Sequence, residues 1–196
     1  MRLERRAVLQ MLAASPLPGL LGVSPAVLER ALRVSRSVRE QGAGTYAPTF
    51  FTATEWETVR LLADLVIPRD DRSGSATDAG APEFMDHLLG EGSESQQVAI
   101  RGGLTWLDRE CRTRYGRRFH DAAPAERTEM LNAIAWPDRS APTVSAGVAF
   151  FNRFRDLVAS GFWSSEIGVK DLGYVGNTFV TSWVGCPEEA RRKIGL

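Results

Sequence analysis

Phe51-Thr-Ala-Thr-Glu-Trp-Glu-Thr-Val-Arg-Leu-Leu-Ala-Asp-Leu-Val-Ile-Pro68 is the stretch that decides the fold. Thr52 and Glu55 have the spacing of a capping box, in which each side chain satisfies a free amide at the start of a helix. Phe51 before the cap and Trp56 after it can close as a hydrophobic staple. Trp56, Val59, Leu62, Ala63 and Val66 then recur at helical spacing along one face. Ile67-Pro68 ends the run, because proline lacks an amide donor and disfavours helical geometry in the residue before it. The stretch predicts a well-bounded amphipathic helix that must bury one face against other elements.

Downstream, the same kind of reading yields more helices. Arg69 to Gly80 is a polar loop carrying Asp70, Asp71, Ser73, Ser75 and Asp78. It lacks the glycine and terminal glutamate of a helix–loop–helix calcium site, so it reads as an acidic surface loop. Pro82 opens a short helix through Leu89, closed by Gly90. A long helix covers Glu94 to Arg114, with Ile100, Leu104, Leu107, Cys111 and Tyr115 on one stripe and Gly116 as its end. Gly102-Gly103 weakens it by about 1 kcal/mol per glycine relative to alanine and permits close helix contact. Pro124 starts another helix, with Met130, Leu131 and Ile134 inward and Trp136-Pro137 as its stop. The last long helix, Val144 to Ser160, carries Phe150, Phe151, Phe154, Leu157 and Val158, with Gly161 as its cap.

Upstream, Ser24 and Pro25 are the N-cap and first position of a helix over 24–40, with Val27, Leu28, Ala31 and Leu32 on one side. Arg30, Arg33 and Arg36 form a solvated face on another side, and Gln41 to Pro48 is a linker. Residues 1–23 read as an export segment: Arg5-Arg6 precede a modest apolar run, which points to the twin-arginine route. Pro16 and Pro18 interrupt that run, which is too short to span a bilayer. Glu4 stands where a small polar residue is usual, and no Ala-x-Ala motif follows, so cleavage stays open. The expected division is a signal segment over 1–23, a helix and linker over 24–49, and a helical domain over 50–196.

Length suits one domain, and the composition, 43% hydrophobic and 24% charged, is that of a globular protein. Twenty-four basic and 24 acidic residues cancel, which argues against a nucleic-acid binder with its basic face. No segment of strand periodicity has convincing length. The predicted fold is all-α, a bundle or orthogonal array of about five helices. It ends in an aromatic- and glycine-rich tail, whose composition is wrong for disorder.

The sequence holds no catalytic constellation. There is no Walker loop, and Gly173-Tyr-Val-Gly-Asn177 has neither the spacing nor the flanking elements of a dinucleotide fingerprint. Two cysteines, Cys111 and Cys186, do not make a zinc or iron–sulfur site. Cys111 lies on a core stripe. Cys186 precedes Pro187-Glu188-Glu189, which resembles a helix start and would favour a thiolate. In an exported chain a disulfide is the stronger expectation, Cys111 with Cys186 or Cys186 with a partner. Glu166 and Asp171 lie in a loop where carboxylates are usually solvated.

A set of motifs in order resembles a known family. They are Phe50-Phe-Thr…Glu-Trp…Leu-Ala-Asp-Leu-Val-Ile-Pro68, Gly80-Ala-Pro-Glu-Phe-Met-Asp86, Phe150-Phe…Phe-Arg-Asp-Leu157 and Gly161-Phe-Trp-Ser-Ser165. Asp171-Leu-Gly-Tyr-Val-Gly-Asn177 and Trp183-Val-Gly-Cys186 complete the succession, over residues 50–190. Together they resemble the gluconate 2-dehydrogenase subunit 3 family, the small subunits of membrane-associated sugar and sugar-acid dehydrogenases.

The resemblance implies a non-catalytic subunit with no cofactor of its own. Its partner would be a large FAD-containing dehydrogenase of the glucose–methanol–choline class, with or without a cytochrome c, and its location the periplasm. The small subunit would carry the export signal for the flavoprotein and stabilise it. On that basis Trp163, Gly173, Tyr174, Gly176, Asn177 and Trp183 are assigned to the partner interface, since aromatic anchors and close backbone approach suit one. The competing expectations are a stand-alone periplasmic interaction module and an enzyme using Cys186 or the loop carboxylates.

Overall fold

The structure is a computed structural model that describes residues 23–41, 46–174, 185–186 and 188–193. Its helices are α1 (Pro25–Gln41), α2 (Ala53–Val66), α3 (Ala81–Gly90), α4 (Glu94–Tyr115) and α5 (Pro124–Ile134). They continue with α6 (Ser145–Trp163), α7 (Glu166–Asp171) and α8 (Glu188–Lys193). Two single 3-10 turns, Pro137–Arg139 and Pro142–Val144, join α5 to α6. No strand occurs among the described residues, so the fold is all-α as the periodicity predicts.

α3 is the hub. It packs against α1, α2, α4 and α6, while α4 and α5 also lie on α6. Eight of its ten residues are buried, so this helix has no solvated face. Gly80 precedes it at φ 73°, a left-handed conformation that suits glycine. Phe84, Met85 and Leu88 of α3 meet Val59 and Leu62 of α2, Ile100 and Leu107 of α4, and Phe154 and Val158 of α6 in one core. Each such side chain contributes about 1.5–3 kcal/mol of apolar transfer.

α2 matches its sequence in detail. Thr52 accepts from the amide of Glu55, Glu55 accepts from the amide of Thr52 at 2.9 Å, and Phe51 and Trp56 lie 6.2 Å apart between ring centroids. α1 keeps its arginine face outward, places Leu28 and Ala31 in the common core and buries Val38 beside it. The Ser35 hydroxyl of α1 lies within hydrogen-bond distance of Gly80 O (2.9 Å), so α1 is seated directly on the start of α3.

Two expectations change. Gly161 is not a cap: α6 continues to Trp163, and a Cβ at Gly161 would lie 2.9 Å from Phe84 Cδ1 and 3.1 Å from Ala81 Cα. The residue is small because α3 crosses there. In the Gly102-Gly103 pair only Gly103 makes the close contact, since a Cβ on it would overlap the Phe150 ring, whereas Gly102 faces open space. Beyond α6 the chain forms the short helix α7, where the sequence showed little periodicity.

Candidate partner interface

Of the predicted interface residues, Trp163, Gly173 and Tyr174 fall in a corner made by the end of α6 and by α7. Trp163 is the last residue of α6, edge-on to buried Phe162 at 4.9 Å between centroids. Ser165 then caps α7, its hydroxyl accepting from the amide of Gly168 at 3.1 Å. Gly168 is buried so tightly that a Cβ would overlap the Phe162 carbonyl and crowd Trp163 Cα. The tight corner therefore depends on a glycine in α7.

α7 ends in a Schellman motif. The amide of Gly173 donates to Lys170 O at 3.0 Å, that of Tyr174 to Val169 O at 3.2 Å, and Gly173 has φ 64°. Gly173 is thus explained by helix termination, and the residues on either side of it carry the surface. Leu172 is 61% exposed and Tyr174 56%, with Trp163 at 39%. Leu172 was missed from sequence. Its signal was there, an apolar residue next to a stop glycine, but without a helix to end the stop could not be recognised.

Salt links hold the corner to the body. Glu166 pairs with Lys170 at 2.9 Å and with Arg39 of α1 at 3.7 Å. The hydrogen bond from Lys170 holds its carboxyl below the usual glutamate range, with the charges of Lys170 and Arg39 assisting. Arg72, from the polar loop, donates to Asp171 O at 3.0 Å and pairs with Asp171 Oδ1 at 3.2 Å. Glu166 and Asp171 are each engaged by a cation. The loop itself is folded by Asp70, whose Oδ1 accepts from the amides of Arg72 (2.9 Å) and Ser73 (2.8 Å).

Both cysteines are free. Cys111 is buried on α4, and burial pushes its thiol up to about 11, while Cys186 is exposed. Cys111 and Cys186 are not joined in this structure. Gly176, Asn177, Trp183, Arg5 and Arg6 lie outside the described residues.

A second polar cluster, unforeseen from sequence, lies under α3. Asp86 is fully buried and accepts five hydrogen bonds. Oδ1 takes the amides of Phe50 (3.0 Å) and Phe51 (2.9 Å). Oδ2 takes the Thr49 amide (2.8 Å), the Thr49 hydroxyl (3.0 Å) and the Tyr46 hydroxyl (2.7 Å). Burial, then the bond to Asp86, raises the Tyr46 phenol far above its ordinary value. One turn earlier Glu83, also fully buried, binds Arg60 at 3.2 Å through Oε1 and leaves Oε2 without a partner. Burial raises its carboxyl above the usual range, against the opposing pull of Arg60.

This cluster fastens a segment rather than opening a reaction site: every Asp86 bond reaches the strap from Tyr46 to Phe51. A groove of about 590 Å³ lies between α3, α4 and α6, edged by Gln96, Asn152, Arg153 and Asp156. No three His, Cys, Asp or Glu side chains converge as metal ligands among the described residues.

The end of α6 and α7 together leave Trp163, Leu172 and Tyr174 exposed on a corner linked to the body by Arg39 and Arg72. The chain belongs to the gluconate 2-dehydrogenase subunit 3 family, whose model matches residues 53–181. That family is named for one subunit of a dehydrogenase complex. The match begins at α2 and passes through the corner, Trp163 and Tyr174 included. No curated protein and no solved structure matches the chain.

Proposed function

We propose that this protein is the non-catalytic small subunit of a sugar, sugar-acid or glycoside dehydrogenase, and that it escorts and stabilises the large subunit. The partner is a FAD-dependent flavoprotein of the glucose–methanol–choline class, alone or with a cytochrome c. Hydroxyl oxidation takes place on the flavoprotein, and the electrons pass to the respiratory chain. Export follows the twin-arginine route from Arg5-Arg6, and the complex works on the periplasmic side of the membrane.

The observation that carries this reading is the braced corner with Trp163, Leu172 and Tyr174 exposed, in a chain whose family is that of a dehydrogenase subunit. Aromatic side chains on a rigid support are effective anchors, because little conformational freedom is lost on docking. The test is purification of the full chain from its native envelope in mild detergent, followed by a visible spectrum and peptide identification. A yellow complex with a large flavoprotein that passes electrons from sugars or sugar acids to a dye is expected. A colourless chain without partner would overturn the reading. Separately, Arg5→Lys/Arg6→Lys should strand the flavoprotein in the cytoplasm, measured by fractionation, and periplasmic flavoprotein in that variant would refute the escort role.

A further inference from the structure

α7 has six residues, far too few to hold a helical conformation on its own. Only Gly168 of them is buried, so the core supplies little anchorage. Besides the close packing of Gly168 on the end of α6, the position of Leu172 and Tyr174 is set by the contacts at the two ends of α7. At the start these are the Ser165 cap and the Arg39–Glu166 pair. At the other end it is Arg72 from the loop after α2, 99 residues away in sequence.

We infer that Arg72 is the positioning residue of the interface, clamping the last residue of α7 so that Leu172, Gly173 and Tyr174 leave the corner in one direction. This rests on the interface reading above and adds to it the element that sets the surface. The geometry has two parts. A guanidinium offers several donors in a fixed plane, and here one nitrogen serves both the main-chain carbonyl and the carboxylate of Asp171. The carbonyl is among those that a helix end leaves without an internal partner. Asp70 in turn fixes the backbone that bears Arg72, through the amides of Arg72 and Ser73. The chain of dependence runs from Asp70 through Arg72 and Asp171 to the Gly173 turn.

Arg72 is largely exposed, and exposed ion pairs contribute little to global stability. Its loss should be visible locally and nearly silent globally, which separates positioning from a merely structural role.

The experiment is hydrogen exchange on the full chain, read at the amides of Leu172, Gly173 and Tyr174, alongside binding of the purified large flavoprotein subunit. Arg72→Ala should speed exchange at these three amides by about threefold to tenfold. The thermal midpoint should stay put, and flavoprotein binding should weaken. Arg72→Lys should restore part of both, since a single ammonium keeps the charge but not the planar fork. Unchanged exchange at 172–174 in Arg72→Ala overturns the inference whatever the partner does. Binding at wild-type strength by Leu172→Ser/Tyr174→Ser overturns the interface reading instead, leaving the exchange result to report on the clamp alone.

Discussion

α3 and α7 are both short helices close to α6, and they are built on opposite principles. α3 buries eight of ten residues, including the carboxylates of Glu83 and Asp86. α7 buries one of six, and its charges are engaged in ion pairs, Glu166 with Lys170 at the surface and half-buried Asp171 with Arg72. In the first, polar groups are enclosed and used to fasten a neighbouring strap. In the second, polar groups brace the element while apolar side chains remain exposed. The difference teaches where contact with a partner can be made without unmaking the fold: at α7, not at α3.

The strongest way to break that comparison is Asp86→Ala. It strands the buried amides of Phe50 and Phe51, at roughly 1–3 kcal/mol each, so a loss of about 4 kcal/mol is expected in denaturant titration. A loss below about 1 kcal/mol would mean that the strap is held without Asp86. Gly168→Ala comes next, with an expected cost of about 1–3 kcal/mol from overpacking. Because the obstructing atom is the Phe162 carbonyl, backbone rather than a flexible side chain, α7 must shift, and binding of the proposed flavoprotein partner should fall as well.

Glu83 sharpens the contrast through pH. Its carboxyl is raised in the folded state by burial, so between the ordinary glutamate pKa and the raised one the folded protein holds more protons than the unfolded chain. The contribution of Glu83 to stability is then greatest below that window and declines as pH rises through the raised value. Glu83→Gln should flatten this slope in denaturation curves taken across the acid to neutral range. A slope identical to wild type would assign it to another group. Glu166, whose carboxyl is lowered instead, sits at the surface and should leave that slope unmoved.

The smallest effect on folding is expected at the corner. Leu172→Ser/Tyr174→Ser should change stability by no more than about 0.5 kcal/mol, as exposed sites do. The same pair should weaken binding of the proposed flavoprotein partner tenfold or more, about 1.4 kcal/mol, by titration calorimetry. A large fall in thermal midpoint would show that these side chains cover the domain's own core.

How far the sequence could be read depended on whether a feature was local. The capping box at Thr52 and Glu55, the stop at Ile67-Pro68 and the core stripe from Ile100 to Cys111 are set by neighbours three or four residues away, and all stand as expected. Gly161 was misassigned because a cap glycine and a crossing glycine look alike until α3 is placed beside α6. The corner was half legible: Trp163, Gly173 and Tyr174 were singled out, but α7 was not, since six residues carry too short a period to detect.

The sequence by itself determined the all-α class, the limits of helices with local caps and proline stops such as α2, and the order of family motifs, because these signals act within one turn of chain. Only the tertiary structure decided what the conspicuous polar residues do. Asp86 and the strap lie 35 to 40 positions apart, and Arg72 and Asp171 lie 99 apart. Such pairings follow from how helices pack in space, and no local rule of the chain encodes them.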